Sequence, residues 1–89
     1  MDYRIWKYEF NIKDRQVVLM PKGAQILSAA NQNGTLCIWA LVDTVNDDEA
    51  RHIEIIGTGN PVPHDMGVER KFIGTVMMPP FVWHVFELL

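Results

Sequence analysis

Apolar and polar residues alternate along this chain in short runs, and glycine, proline, asparagine or aspartate interrupts them about every eight to twelve positions. No segment sustains the 3.6-residue stripe of an amphipathic helix. The pattern predicts an all-β domain, a small antiparallel sandwich or barrel of about six to seven short strands. Strands are expected at 3–10, 16–20, 24–31, 35–42, 51–57, 70–78 and 81–88. In the first, Trp6, Tyr8 and Phe10 share a face and Lys7 and Glu9 take the other. Pro21-Lys22-Gly23 stops the second strand, because proline gives no ladder donor and glycine permits positive φ. Asn33-Gly34 predicts a hairpin closed by a type I′ turn, whose two central residues both need positive φ.

The arm after that turn, "TLCIWALV", is apolar on both faces. Leu36, Ile38, Ala40 and Val42 point one way, and Cys37, Trp39 and Leu41 the other. A central strand covered on both sides follows, one cover being the core and the other a second layer or a subunit interface. Residues 43–50, "DTVNDDEA", leave room for at most one helical turn near 44–50, capped by Thr44 or Asn46. Pro79-Pro80 predicts an extended link between the last two strands in place of a tight two-residue hairpin.

Composition narrows the function classes. The 89 residues make one domain, spanning 1–89, with no room for a second. Hydrophobic residues make up 48% and charged residues only 21%, a globular composition with enough apolar surface to predict a homo-oligomer. The net charge of −3 argues against a nucleic-acid binder that neutralises phosphates, and is too sparse for a mimic of DNA. One cysteine, Cys37, excludes an intrachain disulfide framework and suggests a reducing compartment. The N-terminal "MDYRIWKYEF" lacks the apolar core of a signal peptide, and no apolar run approaches a membrane span. A cytoplasmic protein without membrane contact is expected.

The stretch "IIGTGNPVPHD" carries the strongest candidate chemistry. It runs from an apolar strand into Gly57 and Gly59, as a phosphate-binding turn does. A dinucleotide fingerprint opens a helix at that point. Pro61 and Pro63 forbid one here, and no Lys-Ser/Thr follows to make a Walker motif. Two readings remain. In one, this is a stiff loop with Gly57 and Gly59 in special φ values. In the other, it is a preformed lip whose backbone N–H groups approach an anion.

The three histidines lack zinc-site spacing, and one cysteine cannot complete such a site, so neither metal nor cofactor is expected. His84, on a face with Val82 and Phe86, reads as a satisfied structural histidine. His64-Asp65 could pair a base with a carboxylate, but adjacent residues seldom aim at one target. Ser28 lies in a strand, and Cys37 sits among apolar residues, so no activated nucleophile is evident. Asp47-Asp48-Glu49 reads as a solvated turn. No catalytic set emerges, and a non-enzymatic protein is expected.

The blocks "IWKYEF", "MPKGAQILSAANQNGTLCIWALVD", "IIGTGNPVP", "FIGTV" and "VWHVFE" resemble, in order and over nearly the whole chain, a family of small uncharacterised proteins encoded by phages and prophages. The resemblance implies a phage accessory protein in the bacterial cytoplasm, with no assigned activity. This chain departs from the family pattern mainly at "HDMGVERK" and "MMPP", which weakens any role for His64 and Asp65. The expected function is binding or sequestration against host defence, with a host protein or a nucleotide-like signal as ligand. Gly57, Thr58, Gly59, Asn60 and Pro61 would form the site. Arg51, His52, Arg70 or Lys71 would supply charge, and Trp39 or Trp83 a stacking face. The rival readings are a structural or virion-assembly protein and, behind it, a small hydrolase.

Overall fold

In the computed structural model, which describes residues 1–64 and 66–89, seven strands follow one another: β1 (Tyr3–Phe10), β2 (Arg15–Pro21), β3 (Gln25–Gln32), β4 (Thr35–Asp43), β5 (Asp48–Gly57), β6 (Arg70–Met78) and β7 (Phe81–Leu88). They form a three-stranded sheet, β1-β4-β3, and a four-stranded sheet, β2-β5-β7-β6. Every pairing is antiparallel. The two sheets face each other as a sandwich and do not close into a barrel. No helix occurs among the described residues, so none there is long and apolar enough to cross a membrane.

The alternation along each strand decides what is inside. Leu36, Ile38, Ala40 and Val42 are fully buried on the inner face of β4. Leu36 and Ile38 pack with Phe10, Ile53, Ile55, Val76 and Val85, drawn from both sheets. Ala40 and Val42 meet Met20 and Ala24 beside the turn that carries the chain from β2 to β3. At one side the sheets nearly touch. Asn31 Nδ2 donates to Met77 O at 3.2 Å, and Gly74 lies against the backbone of Ala29. Both strands at this seam are bulged, β3 between Ile26 and Ser28 and β6 between Phe72 and Gly74. Such bulges add twist and bend a strand toward its neighbour layer.

The hairpin turn is as expected, with Asn33 at φ 53° and Gly34 at φ 86°. Asn31 Oδ1 accepts from Gly34 N at 2.8 Å and steadies it. Three expectations are corrected. The strand expected at 51–57 starts already at Asp48 as β5, and Thr44 to Asn46 make a turn, so the room for at most one helical turn near 44–50 holds none. The early start of β5 is fixed by β2, whose Met20 and Pro21 pair with Glu49 and Asp48. Pro79-Pro80 is no extended link. Its peptide bond is cis, the chain reverses there, and Met78 faces Phe81 directly. A cis X–Pro bond folds the chain back where a trans bond would extend it. The third concerns Gly57 and belongs to the site below.

Tyr8 points inward from β1, and its hydroxyl is buried with no hydrogen-bond partner among the described residues. Burial, and after it the charge of Asp48, raises its pKa. An unsatisfied buried hydroxyl costs about 1–3 kcal/mol. Tyr8→Phe is therefore expected to leave stability unchanged or raise it by about 1 kcal/mol, read as the midpoint of urea denaturation. A clear loss would mean that the hydroxyl has a partner, such as an ordered water.

Candidate functional site

The end of the sandwich beside the Pro79-Pro80 turn gathers the most promising surface. Phe81 and Trp83 are two residues apart on β7 and so share a face. Their rings stack with centroids 5.5 Å apart and planes 27° from parallel. Phe81 is 57% exposed and Trp83 half-buried against the core. Two clefts open on either side of this pair. One, of about 480 Å³, is lined by Ile12, Asn31, Gly34, Met78 and the two prolines. The other, of about 460 Å³, is lined by Gly57, Thr58, Asn60, Pro80 and Val82. Both share Pro80, Phe81 and Trp83.

The glycine-rich stretch forms the wall of the second cleft. Asn60 N donates to Gly57 O at 3.0 Å, closing a four-residue turn, and Gly59 has φ 87°. Positive φ at the third position is the signature of a type II turn. Gly57 does not have positive φ, contrary to expectation. It is glycine for a different reason. A Cβ there would lie 2.7 Å from Asn60 Nδ2 and 3.0 Å from Trp83 Cζ3. Gly57 therefore lets the turn lie directly on the tryptophan ring. The expected anion grip is also modified. Thr58 N donates to Val82 O at 3.1 Å and Asn60 N is used within the turn, so these two donors are already committed.

On the opposite face of the same strand, His84 is held at both ring nitrogens. Thr58 Oγ1 lies 2.7 Å from Nε2, and Thr75 Oγ1 lies 3.1 Å from Nδ1. This is the satisfied histidine that the sequence suggests, pinning the turn to β6 through β7. The pairing of a hydroxyl with an imidazole resembles a nucleophile and its base, but the group behind the ring is a hydroxyl and not a carboxylate.

The remaining candidates lie elsewhere. Arg51 faces inward, donates to Glu87 through Nε and, at 3.0 Å, through Nη2, and donates to Ala24 O at 2.8 Å. Arg70 donates to Glu54 and to Pro63 O. His52 is exposed on the outer face of β5, opposite Val17 and Leu88. Trp39 lies on the outer face of the other sheet. Lys71 is exposed on β6, and Pro61 and His64 are exposed in the loop at 58–69. Asp65 lies outside the described residues, so the His64-Asp65 pairing has no structural account. Among the described residues, no cluster of histidine, cysteine and carboxylates could hold a metal ion. Phe81 and Pro80, absent from the sequence-derived site, are central to it. The signal was available in "PPFVW", an aromatic pair at strand spacing straight after a turn.

These features define a small two-sheet β domain with a stacked aromatic shelf between two clefts at one end. The chain belongs to the family described as a domain of unknown function, DUF7352, whose model matches residues 1–89. No curated protein and no solved structure matches it.

Proposed function

We propose that this protein is a non-catalytic binding protein that takes a planar, ring-bearing ligand, a nucleotide-like molecule, on the Phe81–Trp83 shelf. The observation that supports it most is the exposed stacked pair flanked by two clefts, each within the roughly 300–1,000 Å³ of ligand sites. Stacking on an aromatic face accepts any base, and the side-chain amide of Asn60 in the flanking cleft gives the edge of a ring something to read. A reaction is disfavoured by the same geometry. Thr58 N and Asn60 N are already committed to Val82 O and Gly57 O, which supports a non-catalytic reading of the Thr58 hydroxyl. The block resemblance to phage and prophage proteins supports a phage accessory role in the bacterial cytoplasm. There the protein would sequester a signal of host defence, as a homo-oligomer. A host protein seated on the same shelf is the neighbouring possibility. The structural or assembly reading draws on a different observation, the exposed Ile5, Leu19 and Phe72 on the outer sheet faces.

The test is native mass spectrometry of protein purified from bacterial cells, followed by tryptophan-fluorescence titration with purine and pyrimidine nucleotides. Wild type is expected to bind at least one of them. Phe81→Ala should weaken binding about 5- to 150-fold with the fold intact, since stacking is worth about 1–3 kcal/mol per base. Gly57→Ala, which pushes the turn off Trp83, should weaken it as well. Wild type without affinity for any nucleotide, or Phe81→Ala binding as wild type does, would sink the reading.

A further inference from the structure

The edge of the three-stranded sheet carries an inference that goes beyond ligand binding. β1 pairs with β4 on one side only. Thr44 N donates to Asp2 O at 2.9 Å, which sets the phase of the ladder. In an antiparallel pair, hydrogen-bonded and non-bonded positions alternate. Arg4, Trp6, Tyr8 and Phe10 therefore turn their backbone groups toward β4. Tyr3, Ile5, Lys7 and Glu9 turn theirs to the open side.

An open edge is a template for another strand, and proteins blunt it with proline, bulges or lysine. β1 has no proline, and its register with β4 runs unbroken from Tyr3 to Phe10. Its central lysine is turned away from the edge. Lys7 Nζ donates to Gln32 Oε1 at 2.8 Å on β3, two strands across the sheet, and approaches Glu9 at 3.6 Å. Its inward face is open too. Trp6 is 40% exposed, so the second sheet does not cover this end of the strand. Of the other edge strands, β3 and β6 are bulged and meet at the seam between the sheets, and β2 ends in Pro21, which offers no N–H.

We propose that β1 pairs antiparallel with β1 of a second copy, across a two-fold axis at Trp6, giving one continuous six-stranded sheet. A two-fold axis normal to the sheet keeps inner and outer faces matched, so opposed residues have the same parity. Centred on Trp6, the register sets Ile5 against Lys7 of the partner copy, Tyr3 against Glu9 and Arg4 against Tyr8. The two Trp6 rings meet at the axis. All outward backbone groups of Tyr3, Ile5, Lys7 and Glu9 find partners, and no like charges stand opposite each other. Centred on Lys7, the same pairing would oppose the two lysines, which is destabilising. This proposal shares the homo-oligomer of the reading above but does not depend on any ligand.

The test is sedimentation equilibrium of the ligand-free protein at micromolar concentration. Wild type is expected to sediment as a dimer. Ile5→Pro removes an outward N–H and leaves the β1–β4 ladder whole, so it should give a folded monomer by circular dichroism. Two further variants test the register. Ile5→Lys sets like charges opposite Lys7 twice over by symmetry and should weaken the dimer about tenfold. Ile5→Glu, opposite the same lysine, should leave it as tight or tighter. A monomeric wild type overturns the proposal, as does a dimer indifferent to Ile5→Pro and Ile5→Lys. A dimer lost on Val17→Pro in β2, but kept in the Ile5 variants, overturns it too. A nucleotide-binding protein that stays monomeric would sink this proposal and the homo-oligomer it shares with the reading above but leave the ligand site standing, and a dimer without nucleotide affinity would sink only the binding reading.

Discussion

Replacing Glu54 with glutamine is expected to cost about 3 kcal/mol of folding stability at neutral pH, and the loss should shrink in acid. Glu54 points to the outer face of β5, yet it is 1% exposed. Arg15 Nε donates to its Oε2 at 2.9 Å, and Arg70 donates to both of its oxygens, through Nε and, at 3.3 Å, through Nη2. Arg70 also donates to Pro63 O at 2.9 Å, so the carboxylate ties β2 and β6 to the loop at 58–69. Breaking a buried pair costs about 3–5 kcal/mol. The lower end applies because the Arg15 side chain is 41% exposed and can turn to water. Burial by itself pushes the Glu54 carboxyl up. The hydrogen bonds and charges of Arg70 and Arg15 together outweigh it and hold the pKa below the ordinary glutamate value. A carboxyl with a depressed folded pKa stabilises the fold above its unfolded pKa, and that contribution fades as pH falls through the folded pKa. Urea denaturation of wild type and Glu54→Gln from neutral pH downward should show curves that converge in acid. A gap that stays constant with pH would mean that the variant acts by shape and not by charge.

This glutamate also marks the limit of what the sequence carries. In "RHIEIIG", strand alternation sets Glu54 and His52 opposite the core, where a charged side chain normally meets solvent. What buries Glu54 comes from far along the chain, from Arg15, Arg70 and the loop after Gly57. Local pattern carries none of this. The local features were legible. Asn33-Gly34 dictated its own turn, and β1, β6 and β7 span the residues that alternation and turn signals marked. The two-faced apolar β4 is the central strand of its sheet. The Pro79-Pro80 turn was misread because a residue pattern cannot distinguish a cis from a trans proline bond. For the site, the sequence marked the turn at 57–60 and Trp83, which do come together. It also named Arg51, Arg70 and Trp39, which lie away from the shelf, because residue type does not reveal which cation is already engaged by a carboxylate, nor which tryptophan faces which layer. Phe81 and Pro80 were missed because the shelf exists only once the chain reverses ahead of β7.

Arg51→Met alone should destabilise the protein by about 3 kcal/mol, and the double variant Arg51→Met/Glu87→Leu should recover most of that loss. The pair lies between the sheets. Glu87 is 5% exposed, and the Arg51 guanidinium grips its carboxylate with two nitrogens while a third reaches Ala24 O at the corner between β2 and β3. The Glu87 hydrogen bond raises the Arg51 pKa, so the guanidinium stays charged. Methionine keeps the apolar stem but leaves a buried carboxylate without that partner. Lys71 stands opposite Glu87 in the β6–β7 ladder and is the cation best placed to swing toward it, which keeps the loss near the low end. Removing both charges exchanges two costly desolvations for apolar contact, and such replacements are commonly neutral or stabilising. A double-mutant cycle by thermal denaturation isolates the coupling between the two residues. A double variant no more stable than Arg51→Met would mean that the bond to Ala24 O, and not the ion pair, is what Arg51 contributes. The same variant decides whether Arg51 supplies charge to a ligand. If it binds nucleotide as wild type does, Arg51 serves to neutralise Glu87 and to hold the corner between β2 and β3 against β5, and the shelf at Phe81 and Trp83 recognises its ligand without it.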